Sequence, residues 1–163
     1  MFSALAGLVG EAEVLDLYAG SGSIGIEALS RGAGRVVFVE KSREALGALR
    51  QNLTTLGFAN VTVIGQDVGD FLRTATGQFD LIFFDPPWAL ETSVLMEQIK
   101  GADRLAVDGA EMVVHRRRSD STPPPAEGWR HLTTRRYGDG VIHRYEKSSA
   151  SPLDEEQDPE DDE

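Results

Sequence analysis

The chain has no cysteine. That excludes disulfide staples, thiolate metal sites and a thiol nucleophile. Histidine is scarce: His115, His131 and His143 lie apart without metal-ligand spacing, so no metal is expected. No continuous apolar run approaches a membrane span, and no basic-then-apolar leader opens the chain, so no membrane partner and a cytoplasmic location are expected. Bases are outnumbered, with 16 Lys and Arg against 27 Asp and Glu and a net charge of −11. Such a balance argues against a nucleic-acid partner only until its distribution is considered. Residues 154–163 hold eight acids and no base, so the rest of the chain carries only −3. Between positions 111 and 147, Arg116, Arg117, Arg118, Arg130, Arg135, Arg136, Arg144 and Lys147 face five acids, a basic region in an acidic chain.

The 163 residues suit one domain, expected over 1–147, with an acidic tail at 148–163 that lacks apolar content and is expected to be disordered. Short β-branched runs alternate with amphipathic stretches, the pattern of an α/β fold with a parallel sheet covered by helices. Strands are expected at 13–17, 35–40, 60–65, 79–84 and 110–115, and helices at 23–31, 42–56, 68–74 and 93–105. The second helix sets Ala45, Leu46, Leu49 and Leu53 on one face. The run 79–84 is almost wholly apolar, as a central buried parallel strand should be. Pro123, Pro124 and Pro125 make 119–128 a loop, and 130–137 with 141–146 flank Gly138-Asp139-Gly140 as a β-hairpin. There is no internal repeat.

Chemistry gathers where strands end. Asp16-Leu17-Tyr18-Ala19-Gly20-Ser21-Gly22 follows the first strand and opens the first helix, where glycines let the backbone approach a ligand and the helix start offers unpaired N–H groups. Glycine spacing alone fits a dinucleotide fold equally well. Asp16 favours S-adenosylmethionine (SAM), since a carboxylate there suits a cationic aminoacyl group, held through water or backbone, and repels a pyrophosphate. Glu40 ends the second strand, where it can accept ribose hydroxyls. Asp67 follows the third strand and is placed to accept from an adenine amino group, with the Val68 N–H beside it, or to cap a helix.

Asp85-Pro86-Pro87-Trp88 follows the fourth strand and discriminates best. The prolines fix the backbone so that the Asp85 carboxylate and the Pro86 carbonyl can face one amino group. An exocyclic base amine is a poor nucleophile because its lone pair is delocalised, and two acceptors on its hydrogens favour a pyramidal nitrogen. That geometry is stabilised chiefly at the transition state. Trp88 offers a flat face for the base. The cluster Arg116-Arg117-Arg118 follows the fifth strand and is expected to emerge at the same edge, where it can contact phosphates.

On these residues the chain resembles the bacterial SAM-dependent methyltransferases that modify a guanine N2 in 16S ribosomal RNA. The resemblance runs from about Val14 to Glu146 and includes Gly25-Ile26-Glu27-Ala28-Leu29-Ser30-Arg31-Gly32-Ala33, Val39-Glu40-Lys41, Phe79 through Trp88 and Arg136-Tyr137-Gly138-Asp139. It implies a Rossmann-like class I methyltransferase fold, a mostly parallel seven-stranded sheet whose last two strands form the C-terminal hairpin. It implies SAM bound by Asp16, Tyr18, Gly20, Ser21, Gly22, Glu40, Lys41, Asp67 and Val68, with Asp85, Pro86, Pro87 and Trp88 receiving the guanine. The implied partner is ribosomal RNA or a small-subunit assembly particle, and the protein is expected to be a monomer. Members of the family carry a basic segment before the first strand that helps grip RNA; only thirteen residues precede Val14, and Met1-Phe2-Ser3-Ala4-Leu5 resembles the end of that extension. An adenine-N6 DNA methyltransferase or a protein-glutamine methyltransferase uses the same Asp-Pro-Pro geometry. A non-catalytic SAM- or RNA-binding module needs no paired acceptors beside a methyl donor, and an NAD oxidoreductase lacks a candidate acid or base here.

Overall fold

The computed structural model describes residues 9–121, 123 and 126–148. The expected acidic tail beyond Ser148 and the segment Met1–Leu5 lie outside the described residues. Strands and helices alternate as β1 (Glu13–Leu17), α1 (Ser23–Ser30), β2 (Arg35–Val39), α2 (Arg43–Leu56), β3 (Val61–Ile64), α3 (Val68–Thr74), β4 (Phe79–Phe84), α4 (Thr92–Asp103), β5 (Ala106–Arg117), β6 (Trp129–Tyr137) and β7 (Gly140–Lys147). The seven strands form one sheet in the order β3-β2-β1-β4-β5-β7-β6. Neighbours from β3 to β5 pair in parallel, and β7 runs antiparallel to both β5 and β6.

Strand alternation divides the core into two layers. Leu15, Leu17, Ile82, Phe84, Met112 and Val114 face one side, against Phe71 and Leu72 of α3 and Leu95, Ile99 and Ala102 of α4. Val14, Val36, Phe38, Leu81, Phe83 and Val113 face the other, against Ala28 and Leu29 of α1 and Leu49 and Leu53 of α2. Ala45, expected on the buried face of α2, sits at its edge, half-buried. Helix α2 is capped at both ends: the Ser42 hydroxyl accepts from the Ala45 N–H, and Gly57 closes it in the left-handed conformation.

The fifth strand runs longer than the expected 110–115. Its extra start follows from an irregularity, because Phe79 pairs with Ala106 whereas Leu81 pairs with Glu111. The inserted residues include Gly109 at φ 77°, a conformation that disfavours other side chains. A bidentate Arg144–Glu111 ion pair, nearly buried, fastens β7 to β5. The hairpin turns at Gly138-Asp139, with Gly138 at φ 55°.

The register aligns the ends that carry chemistry. Leu17 pairs with Val39 and Phe84, Val39 with Ile64, and Phe84 with Val114, so these residues form one line across the sheet. The residues that follow them, Tyr18, Glu40, Asp85 and His115, share the next line at the carboxyl edge, where ligands of open α/β sheets bind.

Candidate active site

A cavity of about 330 Å³ opens at that edge, lined among others by Tyr18, Glu40, Lys41, Gln66, Val68 and the run Asp85–Trp88. Eight of the cofactor and target residues expected from sequence, Pro86 and Pro87 among them, thus meet in one place. Asp16, Gly20, Ser21, Gly22 and Asp67 lie outside its wall, and each has a structural task.

Asp16 is wholly buried rather than exposed to a ligand. Strand alternation turns its side chain with Val14 toward α1, where Oδ2 accepts from the Gly25 N–H at 2.9 Å. Gly22, the N-cap of α1, has no side chain to cap the helix. A carboxylate from β1 supplies that bond instead. Gly22 must remain glycine: its φ is 90°, and an added Cβ would lie 2.3 Å from a Leu49 methyl. Burial, with Asp85 and Glu40 adding like charge, raises the Asp16 pKa to about 7, and its Oδ1 has no hydrogen-bond partner among the described residues.

Glu40 is held by backbone. Its Oε1 accepts from the N–H groups of Lys41 and Ser42 at 2.8 and 2.7 Å, and its Oε2 from the Gly20 N–H at 2.9 Å. A carboxylate offers about four acceptor positions, so one remains on Oε2 for a ligand hydroxyl. The Gly20 loop is thereby closed onto Glu40, while the exposed Ser21 is tied through its carbonyl to Asn52. Asp67 caps α3 through the Gly69 N–H at 2.8 Å and meets the Lys41 ammonium at 3.1 Å. Burial works to raise the Asp67 pKa, but the Lys41 and Gly69 bonds outweigh it and hold the carboxyl below its usual range. Val68 opens α3, where the first N–H groups have no acceptor within the helix.

Tyr18 takes φ 63°, a left-handed backbone that a bulky residue rarely adopts. Its hydroxyl donates to Gln98 Oε1 at 2.6 Å, and Gln98 is buried on α4. Burial pushes the phenol pKa up despite that bond. A bulky residue held in so strained a backbone is typical of a functional turn.

Three comparisons bear on this arrangement. The family described as conserved hypothetical protein 95 matches residues 1–146. The chain belongs to that family. It is 41% identical over 92 residues to ribosomal RNA small subunit methyltransferase D of Haemophilus influenzae, covering 54% of this chain and 48% of that one. The chain therefore spans about half the length of the curated relatives it matches. Among solved structures it is similar to an Escherichia coli protein described as a methyltransferase, with TM-score 0.84 and 29% identity over 91% of this chain and 83% of that one. A Haemophilus influenzae protein described as a methylase gives TM-score 0.79 and 30% identity over 91% and 94%. The fold is that of the class I, SAM-dependent methyltransferases.

Sequence reasoning passed over His115, Gln66 and Gln98. His115 Nδ1 lies 2.7 Å from Asp85 Oδ1. The β4–β5 register causes the meeting, since Phe84 pairs with Val114 and the next rung brings Asp85 beside His115. Asp85 Oδ2 has no protein partner among the described residues and stays available to a ligand.

The basic cluster needs a correction. Arg116 is buried, donates to the Leu90 carbonyl at 3.1 Å and sits 3.0 Å from the Asp120 carboxylate without a well-aligned hydrogen bond. It shares its face of β5 with Met112 and Val114, an alternation that the sequence already carried. Arg117 points the other way and lays its guanidinium over the Trp88 ring at 4.9 Å. Only Arg117 and Arg118 of the three are exposed.

Proposed function

We propose that this protein is a SAM-dependent methyltransferase acting on an exocyclic amino group of a nucleobase, with guanine N2 of small-subunit 16S ribosomal RNA as the target. One observation carries the reading: Glu40 and Asp85, from the ends of β2 and β4, set two carboxylates in one cavity that Pro86, Pro87 and Trp88 also line, with Asp16 buried on the strand between them. That field suits a cationic cofactor and opposes a pyrophosphate. The residues fit SAM. Glu40 Oε2 keeps an acceptor for a ribose hydroxyl, Val68 and the Lys41–Asp67 pair flank the place for an adenine, and the Asp16-braced turn fixes the loop over the aminoacyl end.

When bound, SAM supplies an electrophilic methyl group. The chain's own residues make the amine able to attack it. Asp85 Oδ2 accepts one amino hydrogen while His115 fixes the other carboxylate oxygen, and the Pro86 carbonyl is the second acceptor. Trp88 stacks on the base and sets its plane. The family and the name of its Haemophilus influenzae relative support ribosomal RNA as the substrate. We propose as well that the protein is cytoplasmic, meets the assembling small subunit and works as a monomer. Isothermal calorimetry tests the cofactor: SAM and its demethylated product bind at micromolar levels and NAD does not. Tighter binding of NAD than of SAM would overturn the reading.

A further inference from the structure

Trp88 lines two cavities. One is the candidate active site; the other, about 520 Å³, is lined by Trp88, Arg117, Arg118, Ser119 and Asp139. We infer that this second cavity is a phosphodiester site that holds the RNA backbone beside the target nucleotide while its base lies across Trp88. The inference rests on the proposed methyl transfer to RNA and adds where the strand is gripped.

Five features carry it. Arg117 is stacked on the indole at 4.9 Å, which holds a planar, five-donor cation in place. Among the described residues neither Arg117 nor Arg118 has a carboxylate within ion-pair distance, whereas Arg116 next to them is buried beside Asp120. The Arg118 N–H donates to the Asp139 carbonyl at 2.7 Å, which anchors the end of β5 to the hairpin turn. Ser119 brings a hydroxyl donor to the same wall. Two guanidiniums against the single carboxylate of Asp139 leave a cationic excess in an acidic chain.

Single-stranded nucleic acid is bound by this combination, an aromatic platform for a base next to a cationic groove for its backbone. Phosphate contacts fix position without reading sequence, so the cavity sets where the strand lies and the active site selects the base.

The test is a salt titration of binding to a fluorescein-labelled single-stranded oligouridylate, with the full chain. Arg117→Gln with Arg118→Gln weakens binding and lowers the slope of log affinity against log salt by about 1.4, two single-strand phosphate contacts at about 0.7 each. Asp139→Asn tightens binding, a gain that misfolding cannot produce. Arg50→Gln, on the exposed face of α2, leaves the slope alone. With a methylatable RNA, the double variant raises KM for RNA and keeps kcat and SAM affinity. A double variant with the parent's slope, or an Asp139→Asn variant with the parent's affinity, overturns the site. Absence of SAM binding would instead sink the methyltransferase reading, because the oligouridylate result does not depend on it.

Discussion

In the proposed reaction Asp85 has two partners. Oδ1 is held by His115 Nδ1 at 2.7 Å, and Oδ2 is left for the substrate amine. Removing the acceptor with Asp85→Ala should cost roughly 3–4 kcal/mol at the transition state, about a hundred- to a thousand-fold in kcat, with a far smaller effect on SAM affinity because Glu40 keeps its charge. His115→Ala leaves the carboxylate free to rotate and should lower kcat roughly tenfold, the worth of about 1.5 kcal/mol for a hydrogen bond to a charged group. Asn keeps a donor near the Nδ1 position, so His115→Asn should restore most of the rate. Single-turnover methyl transfer checks both, and equal rates for the Ala and Asn variants would contradict the positioning role. Sequence placed Asp85 and Trp88 at the site because an apolar strand followed by Asp-Pro-Pro-Trp is a local signal. It missed His115 because that partner comes from strand register, which no local pattern encodes.

The β1–α1 turn is the element on which the cofactor side depends. Gly22 leaves the helix without a side-chain cap, Asp16 supplies the bond to Gly25 from beneath, and Glu40 closes the loop through Gly20. Gly22→Ala meets both a positive φ and a Leu49 methyl at 2.3 Å. The expected result is a loss of about 1–3 kcal/mol in chemical denaturation and weaker SAM binding. Gly47→Ala, in α2 with open space around its Cβ position, should not destabilise the fold. The elements themselves were readable: β1, α3 and β4 match the sequence reading residue for residue, since apolar runs and strand-end acids are short-range signals. The direction of each acid was not. Asp16 reads only as an acid at a strand end until the sheet shows it buried on the α1 side, and Arg116 reads as surface until alternation turns it inward.

Across the whole molecule, charge at the strand ends couples folding, pH and cofactor. Asp16 has a folded pKa of about 7 against an ordinary 3.8, raised by burial and by Asp85 and Glu40. Between those values the folded chain keeps a proton that the unfolded chain has released. The stability that Asp16 lends is thus full below about pH 4 and is lost as pH rises to about 7. Burial depresses the His143 pKa, which pushes the other way near pH 6.5, so the useful quantity is the difference between wild type and Asp16→Asn. Thermal melts without cofactor should show the wild type losing ground to Asp16→Asn from pH 4 to 7, and saturating SAM should shrink the gap by supplying positive charge. A pH-independent gap would contradict the buried-carboxylate account. The reaction itself is tested most directly by incubating the chain with methyl-labelled SAM and, in parallel, naked 16S RNA, small-subunit particles and DNA, then digesting to nucleosides. The account predicts label in N2-methylguanosine from RNA or particles and none in DNA. Label in N6-methyladenine or in protein, or no transfer to any of them by a chain that binds SAM, would contradict it.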